Sequence, residues 1–563
     1  MSAQSSEFCI ESSGGVLLRR KDIYVAQLEG DYETMGRQHG ELAAAACGDV
    51  VALYMNGLLS KLIAQAVPSI SRSAAWLIQE LFRRRNSRDY GADLKAHLRG
   101  LAQAYNLPLA DAERLLVMPD IFHYLAGKTF TTLTSPPSCS CFFACGAATQ
   151  DGKLIVGRNF DFFGRGVWND NQALIVMRPS DGQAFCWIGA LGVCGSGQGF
   201  NESGLIVGLH SKFTTDLRTQ GAPIFKLVHE ILAYCTTVEE AVARITAAPR
   251  LCGLSLFITG SRERTAAIVG YSATHHELIR PEKEYLVRTN HYVTADMQRL
   301  QRGPVAFMRH TQARFQRITA LIEEKYGTLR VEDGPSILSD CIDPYEDRKR
   351  LAGNLVAATN NVQSIVFSPD DDTLWLAHGD FPVCLNDRYC GFSMSALLQG
   401  DEGNYEKEDL PGGSPLTGEE RRGLYEFLQA WSAHLDNLDN SRAVQHLLRA
   451  AEIVPGEPVF PRLAGLILLK EKKYARALPL LLKNAEYPYR DALAHAESLL
   501  WVGRCLDLMG RRDEALDYYR QSSALNAQPV CAAAERNMNT AFKAHQMWSV
   551  TPEFVIGAAL AKY

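Results

Sequence analysis

The dipeptide Pro136-Pro137 separates two kinds of sequence. Before it, from residue 33 to about 130, apolar residues such as Met35 and Leu42 recur at helical spacing, which predicts an amphipathic helical segment. Consecutive prolines cannot continue a helix, and each favours extended backbone in the residue before it. Short β-branched or aromatic runs follow, separated by turn signals. The pattern therefore predicts a mixed α+β protein whose sheet begins directly after Pro137.

Eight runs after the prolines predict strands: CSCFFAC, KLIVGRNFDF, ALIVMRP, QAFCWIGAL, GLIVGLH, LSLFITG, TAAIVGY and SIVFSP. Two helical patterns, at about 223–247 and 308–326, interrupt them. A length of 563 residues exceeds what one hydrophobic core usually holds. A polar stretch rich in Gly and Pro at 401–418 predicts a linker. We therefore expect a helical front segment at 1–138, a strand-rich core at 139–400, the linker, and a helical unit at 419–563.

The last unit contains a spacing typical of tetratricopeptide repeats, in which small residues of paired helices pack together. In each of two stretches a glycine is followed 12 positions later by alanine, and four positions after that by a large residue: Gly465, Ala477 and Leu481, then Gly503, Ala515 and Tyr519. An ordinary bundle of helical hairpins is the alternative interpretation.

Charge and composition exclude several classes of protein. The 58 Lys and Arg against 63 Asp and Glu give a net charge of −5 without a long basic block, so nucleic acid is not an expected partner. No stretch approaches the ~20 apolar residues that span a bilayer, and the first residues show no secretory signal. The 14 cysteines form no CxxC pair or zinc spacing, which favours a reducing compartment. We expect a cytoplasmic protein without a metal or cofactor.

One predicted hairpin carries groups capable of chemistry. The strand that begins at Cys139, the turn at Asp151-Gly152 and the next strand place Cys139 opposite or beside Asp161, with Arg158 nearby. An arginine stabilises a thiolate, and a carboxylate can orient an amine. Two structural interpretations remain open: Cys139 and its neighbours are buried apolar residues, or Arg158 and Asp161 form an ion pair at the strand end.

Motifs in this region resemble those of cysteine N-terminal-nucleophile hydrolases, namely the penicillin acyltransferase (C45) family with choloylglycine hydrolases and acid ceramidase as wider relatives. They occur in the family's order over about residues 25–390: Gly30 to Gly36, Cys139 to Phe142 with Asp151-Gly152, Gly157 to Phe162, Gly199 to Leu205, and Thr289-Asn290-His291. The resemblance implies an αββα sandwich whose catalytic core begins at Cys139.

The resemblance also implies a mechanism. Family members cut themselves before the nucleophilic cysteine, here between Ser138 and Cys139, and the released α-amine serves as the general base. Its ordinary pKa, about 7.7–8.0, lies near that of a thiol, about 8.5. Carried over to this chain, Cys139 is the nucleophile, Asp161 holds the amine and Arg158 tunes the charge. Cys141 points to the same face of the strand, but Cys139 is preferred because a small hydroxyl residue, Ser140, follows it.

The oxyanion donors are less clear in the sequence. Asn290 is expected to donate through its side-chain amide, with a turn residue as the alternative. His210 occupies the place where bile-salt-hydrolase-like relatives have an Asn, so it is either a second donor or a buried structural histidine. Arg314 resembles a further family arginine, but a helix residue that faces solvent is the favoured interpretation.

Together these features predict an autoprocessed N-acyltransferase or linear-amide hydrolase that works through a Cys139 thioester. The implied partner is an acyl-amide or acyl-CoA small molecule, with a protein or acyl carrier as a further partner of the tetratricopeptide-like unit. The alternative is an inactive member of the fold that serves as an interaction scaffold; the departure at His210 favours it, and the intact nucleophile motif opposes it.

Overall fold

The computed structural model of the chain describes residues 8–49, 72–129, 137–162, 168 and 170–561. Residues 50–71 of the predicted helical segment, and the predicted boundary at Pro136, lie outside the described residues.

Two large sheets form the centre of the molecule. Strands β1–β12 lie at Cys9–Ser12, Gly15–Arg20, Ile23–Gly30, Ser138–Gly146, Gly152–Asp161, Gln172–Pro179, Phe185–Ala190, Gln198–Asn201, Leu205–Ser211, Leu254–Gly260, Thr265–Tyr271 and His276–Ile279. Strands β13–β21 lie at Tyr285–Arg288, Ile342–Asp343, Arg348–Lys349, Asn361–Ser368, Thr373–Ala377, Arg388–Ser393, Glu406–Pro411, Thr551–Glu553 and Ala558–Leu560. The first sheet has ten strands in the order β1-β2-β3-β6-β7-β8-β9-β10-β11-β12, and the second has seven in the order β13-β4-β5-β16-β17-β18-β19.

Helices cover the outer faces of the sheets and form the last part of the chain. Helices α1–α11 lie at Tyr32–Cys47, Arg72–Asn86, Ala92–Ala104, Leu109–Leu116, Met118–Thr129, Ile224–Tyr234, Val238–Ala247, Ala295–Leu300, Val305–Glu324, Asp333–Leu338 and Met394–Gln399. Helices α12–α18 lie at Gly418–Leu435, Asn440–Ile453, Val459–Lys470, Tyr474–Ala485, Ala492–Leu508, Arg512–Ala524 and Val530–Asn539. The predicted mixed α+β class is confirmed.

Successive side chains of each strand point to opposite faces of the sheet and so contribute to different layers of the fold. On β4, Cys141 and Phe143 face an apolar core between the two sheets, where they meet residues of the ten-stranded sheet such as Val25 and Leu174. Their neighbour Phe142 points to the other side, against a second core that α9 and α10 cover. In a third core, α1 and α3–α7 pack against the outer face of the ten-stranded sheet. The site-bearing hairpin β4–β5 therefore lies within a four-layer arrangement, helix on sheet on sheet on helix.

The front segment differs from the prediction because its first described part is a set of strands. β1–β3 extend the ten-stranded sheet, and β3 pairs in parallel with β6. In β3, residues Ile23 to Leu28 are buried on both faces of the sheet. Such a segment forms an interior strand and not an amphipathic helix. The segment at 1–138 is thus helical only from Tyr32 onward in its described part, and it supplies strands as well as helices.

The predicted linker at 401–418 also contains a strand. β19 pairs with β18 at the edge of the seven-stranded sheet, although most of its residues are exposed. An edge strand buries few of its side chains. The polar sequence of β19, EKEDLP, is therefore typical of a loop, and the strand could not be recognised from it.

Seven helices, α12–α18, pack each on the next in chain order, and the small two-stranded sheet β20–β21 follows them. The predicted all-α unit is therefore not wholly helical. Each glycine of the predicted spacing lies close to the large residue of the next helix: a Cβ at Gly465 would lie 2.7 Å from Leu481 Cδ2, and one at Gly503 would lie 2.6 Å from a ring carbon of Tyr519. Within the described part of the chain, no helix is both long enough and apolar enough to cross a membrane.

Candidate active site

The hairpin β4–β5 brings the predicted residues together. Cys139 lies opposite Phe160, Ser138 opposite Asp161, and Cys141 opposite Arg158. Cys139 is thus next to Asp161 across the ribbon, as the turn position predicts. Residues 138–140 of β4 extend beyond its pairing with β13. Side chains from β5, from the loop after β13 and from α9 reach this end of the strand.

The Cys139 thiol is buried and lies beside a cation. Arg158 Nη2 is 3.6 Å from Cys139 Sγ, and Cys139 is 1% exposed. Burial raises the pKa of Cys139, while the nearby Arg158 and Arg314 guanidinium groups act in the opposite direction. Cys141 faces the apolar core between the sheets, and burial raises its pKa to about 12. The two cysteines thus differ in surroundings: Cys139 has Arg158 beside its sulfur, and Cys141 lies in the apolar core.

Arg158 is held rigidly. Its guanidinium donates to Gln198 Oε1 and to the carbonyl of Leu209, both at 2.5 Å. Gly208 makes room for it, since a Cβ at that position would lie 2.8 Å from Arg158 Nε. Because its partners on β8 and β9 are fixed, the cation keeps one position relative to Cys139.

Asn290 follows β13 and contacts the cysteine directly. The main-chain N–H of Cys139 donates to Asn290 Oδ1 at 2.9 Å, and Asn290 Nδ2 donates to the carbonyl of Ser211 at 3.1 Å. The side chain therefore holds the main-chain nitrogen of Cys139. Its NH₂ group has a second hydrogen, which is what the predicted oxyanion role requires.

Asp161 lies at the end of β5 and is fully buried. Its carboxylate accepts from Ser138 Oγ at 3.0 Å and from Asn361 Nδ2 at 2.9 Å. Burial raises its pKa to about 6, against the opposing effect of Arg314. The carboxylate thus lies next to the Ser138–Cys139 peptide bond.

Arg314 is not a solvent-facing residue, and the favoured interpretation of it is wrong. It is fully buried on α9 and donates to the carbonyl of Cys139 at 2.7 Å, to Ser140 Oγ at 2.9 Å and to Asn290 Oδ1 at 2.8 Å. A signal existed in the sequence: Arg314 shares the buried helix face with Phe307 and Ile318, seven positions before and four after it.

Lys212 is a further residue that the sequence reasoning missed. It is fully buried, and its ammonium group donates at 2.7 Å to the carbonyls of both Thr289 and His291, the residues that flank Asn290. Burial and the neighbouring Arg288 lower its pKa well below the ordinary value. Lys212 thereby ties the turn that carries Asn290 to the end of β9.

His210 lies on β9, close to Arg158 and Lys212, but it does not line the cavity that opens beside Cys139. Its neighbours Leu209 and Ser211 line that cavity, whereas His210 points to the opposite face of β9. Neither ring nitrogen has a hydrogen-bond partner among the described residues. Burial, with Arg158 and Lys212 nearby, lowers its pKa well below the ordinary value, so its ring is neutral. The donor role of His210 stays a prediction.

A largely apolar cavity opens beside Cys139, and Arg158 and Gln198 are among the polar residues of its wall. Its other walls come from α5, α6, both sheets and the segment between β5 and β6, and include Met118, Phe122, Phe160, Trp168 and Phe225. Such walls suit an apolar group held next to a nucleophile. In the described ranges, no group of three or more His, Cys, Asp or Glu side chains is placed to hold a metal ion.

Sequence comparison finds a distant relative. An uncharacterized protein of Archaeoglobus fulgidus is 22% identical over 351 residues, which cover 56% of this chain. The matched region spans 57% of the length of that relative.

Three solved structures are similar in part. A Caenorhabditis elegans N-acylethanolamine-hydrolyzing acid amidase ortholog is 16% identical, covering 41% of this chain and 93% of that one, with a TM-score of 0.29. A variant of conjugated bile acid hydrolase from Clostridium perfringens is 13% identical, covering 49% and 99%, with a TM-score of 0.33. The N-terminal domain of C. elegans stress-induced protein-1 is 17% identical, covering 22% and 100%, with a TM-score of 0.21.

A family match covers most of the site. Residues 147–382 match the family described as acyl-coenzyme A:6-aminopenicillanic acid acyl-transferase. This range includes Arg158, Asp161, His210, Asn290 and Arg314, and it begins eight residues after Cys139. The central part of this chain is therefore similar to the acyl-coenzyme A:6-aminopenicillanic acid acyl-transferase family.

Proposed function

We propose that this protein is a cysteine N-terminal-nucleophile enzyme that transfers or hydrolyses an acyl group on nitrogen through a thioester on Cys139. The observation that carries the proposal is the arrangement around one residue. Asn290 holds the nitrogen of Cys139, Arg158 lies beside its sulfur, and an apolar cavity opens next to it. The match to an acyl-transferase family supports the same reaction class.

The position of the Ser138–Cys139 bond supports cleavage from within the molecule. Both residues are buried in a strand, so the bond is not accessible to a protease. In the proposed step the Cys139 thiol adds to the Ser138 carbonyl, the C–N bond breaks and the amine takes a proton, which leaves a thioester. Water then hydrolyses the thioester and releases the Ser138 carboxylate and the free thiol. Asp161 is positioned next to this bond through Ser138 Oγ.

The released amine completes the catalytic group. It takes the thiol proton, and the thiolate adds to the carbonyl of the substrate amide. The amine then returns the proton to the leaving nitrogen as the C–N bond breaks, so the acyl group stays on sulfur. Water or an acceptor amine resolves the thioester and regenerates the thiol. Asn290 accepts from the new amine, its free N–H faces the developing oxyanion, and Arg158 stabilises the thiolate.

The helical unit α12–α18 gives the proposal a second part. Its close glycine contacts at Gly465 and Gly503 support a tetratricopeptide-like stack. We propose that this stack binds a protein or acyl-carrier partner, while an acyl amide or acyl-CoA enters the cavity, and that the protein works in the cytoplasm. In this proposal the catalytic unit continues to the end of β19.

The test is the intact mass of the purified protein together with an assay on acyl amides and acyl-CoA. We expect two fragments of about 15 kDa and about 47 kDa, the shares of 138 and 425 residues in a 62.3 kDa chain of 563. Cys139→Ala should abolish both cleavage and turnover. Cys141→Ala, the matched control on the same strand face, should spare both.

An active protein that keeps a single uncut chain would contradict the amine-as-base mechanism. A cut or uncut protein without turnover on any acyl compound, and with wild-type partner binding in Cys139→Ala, would instead favour the interaction-scaffold alternative.

A further inference from the structure

The Arg158 guanidinium is buried, and within the described part of the chain no carboxylate contacts it. Its hydrogen bonds go to Gln198 Oε1 and to the carbonyl of Leu209, and both acceptors are uncharged. Among the described residues, the contact of Arg158 that can become negative is Cys139 Sγ, 3.6 Å from Nη2. A buried cation is normally paired with an anion. The arrangement therefore makes the Cys139 thiolate the natural charge partner of Arg158.

A second glutamine fixes which end of the Gln198 amide faces Arg158. The carbonyl of Gly189 only accepts, so Gln363 donates to it through Nε2, at 3.1 Å, and presents Oε1 on its other side. Gln363 Oε1 accepts from Gln198 Nε2, which leaves Gln198 Oε1 as the acceptor for Arg158, at 2.5 Å. The two amides thus form a relay with one orientation, from a main-chain carbonyl to the guanidinium.

The relay crosses the space between the two sheets. Arg158 and Gln363 lie on β5 and β16 of the seven-stranded sheet, whereas Gln198 and Gly189 lie on β8 and β7 of the ten-stranded sheet. Gln198 and Gln363 are 4% and 1% exposed, and both line the cavity together with Cys139. Each link is anchored on the sheet opposite to the one before it, so the position of the guanidinium depends on the packing of both sheets.

The main chain of each glutamine is fixed as well. The N–H of Gln198 donates to Ser196 Oγ at 3.1 Å, and Ser196 Oγ donates to the carbonyl of Ile188 at 2.6 Å. The carbonyl of Gln363 accepts from Asn361 Nδ2 at 3.0 Å. Since the oxygen and the nitrogen of both side-chain amides are already engaged inside the protein, the two glutamines are suited to positioning and not to binding a ligand.

The absence of charge on Gln198 matters for the chemistry at the thiol. A glutamate of the same shape would hold the guanidinium as an ion pair, and it would place a second negative charge close to the Cys139 thiolate. Like charges in one site disfavour the ionised form. A glutamine oxygen holds Arg158 without adding that charge, so the cation remains available to stabilise the thiolate.

We propose that Gln198 and Gln363 are positioning residues, which hold Arg158 beside Cys139 Sγ and leave its positive charge to the thiolate. This role rests on the proposed function, in which Cys139 is the nucleophile. It extends that function by naming the groups that keep the cation in place and uncompensated.

Formation of the Cys139 thiolate tests this role without turnover. The ultraviolet absorbance of the thiolate is followed against pH in each protein and in its Cys139→Ala counterpart, so that the other cysteines cancel in the difference. Gln198→Glu keeps the shape of the side chain and adds a negative charge. We expect the pH at which half of Cys139 is thiolate to rise by about one unit or more, because a charge so close changes the ionisation equilibrium by about tenfold or more.

Gln150→Glu is the matched control. Gln150 also accepts from an arginine, Arg330, but it is exposed and lies at the turn end of the same hairpin. The variant makes the same chemical change at a Gln–Arg contact, and its Cys139 titration should stay that of the wild type. A second variant, Gln363→Met, adds no charge but releases Gln198 from its partner. It should raise the same midpoint by less than Gln198→Glu does, because Arg158 is then held less firmly.

An unchanged midpoint in Gln198→Glu and Gln363→Met, or a rise of equal size in Gln150→Glu, would overturn the proposal. If Gln198→Glu does not fold, an unchanged midpoint in Gln363→Met alone overturns it. A shifted titration in a protein whose wild-type form turns over no amide would support the relay and contradict the proposed reaction. Turnover of an amide with an unshifted titration would do the reverse.

Discussion

Glu457 of the helical stack accepts from both Nε and Nη2 of Arg350, at 3.1 and 2.6 Å, and the two side chains are buried. Glu457 also accepts from the main-chain N–H of Leu351 at 2.8 Å. The stack is therefore joined to the sheet-bearing part of the chain by a charged contact shielded from water. The predicted linker at 401–418 therefore joins two parts of the chain that also contact each other directly.

Glu457→Ala should destabilise the protein by about 3–5 kcal/mol, because it leaves the Arg350 cation buried without its partner. Denaturant unfolding of the Cys139→Ala protein measures the change, since the proposed mechanism predicts that this form stays one chain. Glu419→Ala, which removes a 75% exposed carboxylate on α12, should change stability by less than about 0.5 kcal/mol. If Glu457→Ala unfolds like the control, the junction is not part of the folding unit.

Arg314→Met should reduce kcat by about 10²-fold or more, because the guanidinium fixes both the carbonyl of Cys139 and Asn290 Oδ1. Single-turnover kinetics measures the effect. Arg317→Met, on the same helix but paired with Asp340 at 2.8 Å, should keep kcat near that of the wild type. Equal activity of the two variants would show that the Arg314 contacts do not support catalysis.

Lys212→Met should lower kcat by about 10²-fold with little change in KM, since a shift of about 1 Å in Asn290 misplaces the reacting groups without altering the cavity. The control is Arg462→Met, which removes a buried cation that donates to the carbonyl of Gly557 in the helical stack. It should cost stability but not kcat. A rise in KM alone for Lys212→Met would contradict the positioning role.

Asp161→Asn should remove a specific pH dependence of stability. Burial raises the pKa of this carboxyl from 3.8 to about 6, so the folded state binds its proton more tightly than the unfolded state. Stability from this group is present below pH 4 and is lost as the pH rises to 6, by on the order of 2–3 kcal/mol. Unfolding of Cys139→Ala with and without Asp161→Asn, at pH 4 and 6.5, measures the difference; a difference that does not vary with pH would contradict the raised pKa.

The hairpin around Cys139 could be predicted because the turn signal at Asp151-Gly152 lies between an aromatic run and a β-branched run, which fixes the pairing within one residue. The burial of Arg314 had a signal in the pattern of its helix, but its partners could not be predicted, since Cys139 and Asn290 lie 175 and 24 positions away on other elements. β19 was missed for a different reason: an exposed edge strand has no buried face to reveal it.

The parallel pairing of β3 with β6 has a thermodynamic consequence for a chain cut before Cys139. The two pieces then share one sheet, with backbone hydrogen bonds and buried side chains between them, so the native form persists as a heterodimer. Its unfolding, however, becomes a dissociation that depends on concentration, and refolding requires two molecules to meet. The lifetime of a protein cleaved in this way depends on a high barrier to unfolding. The protein folded as one continuous chain before it was cut, and the separate fragments cannot fold in that way again.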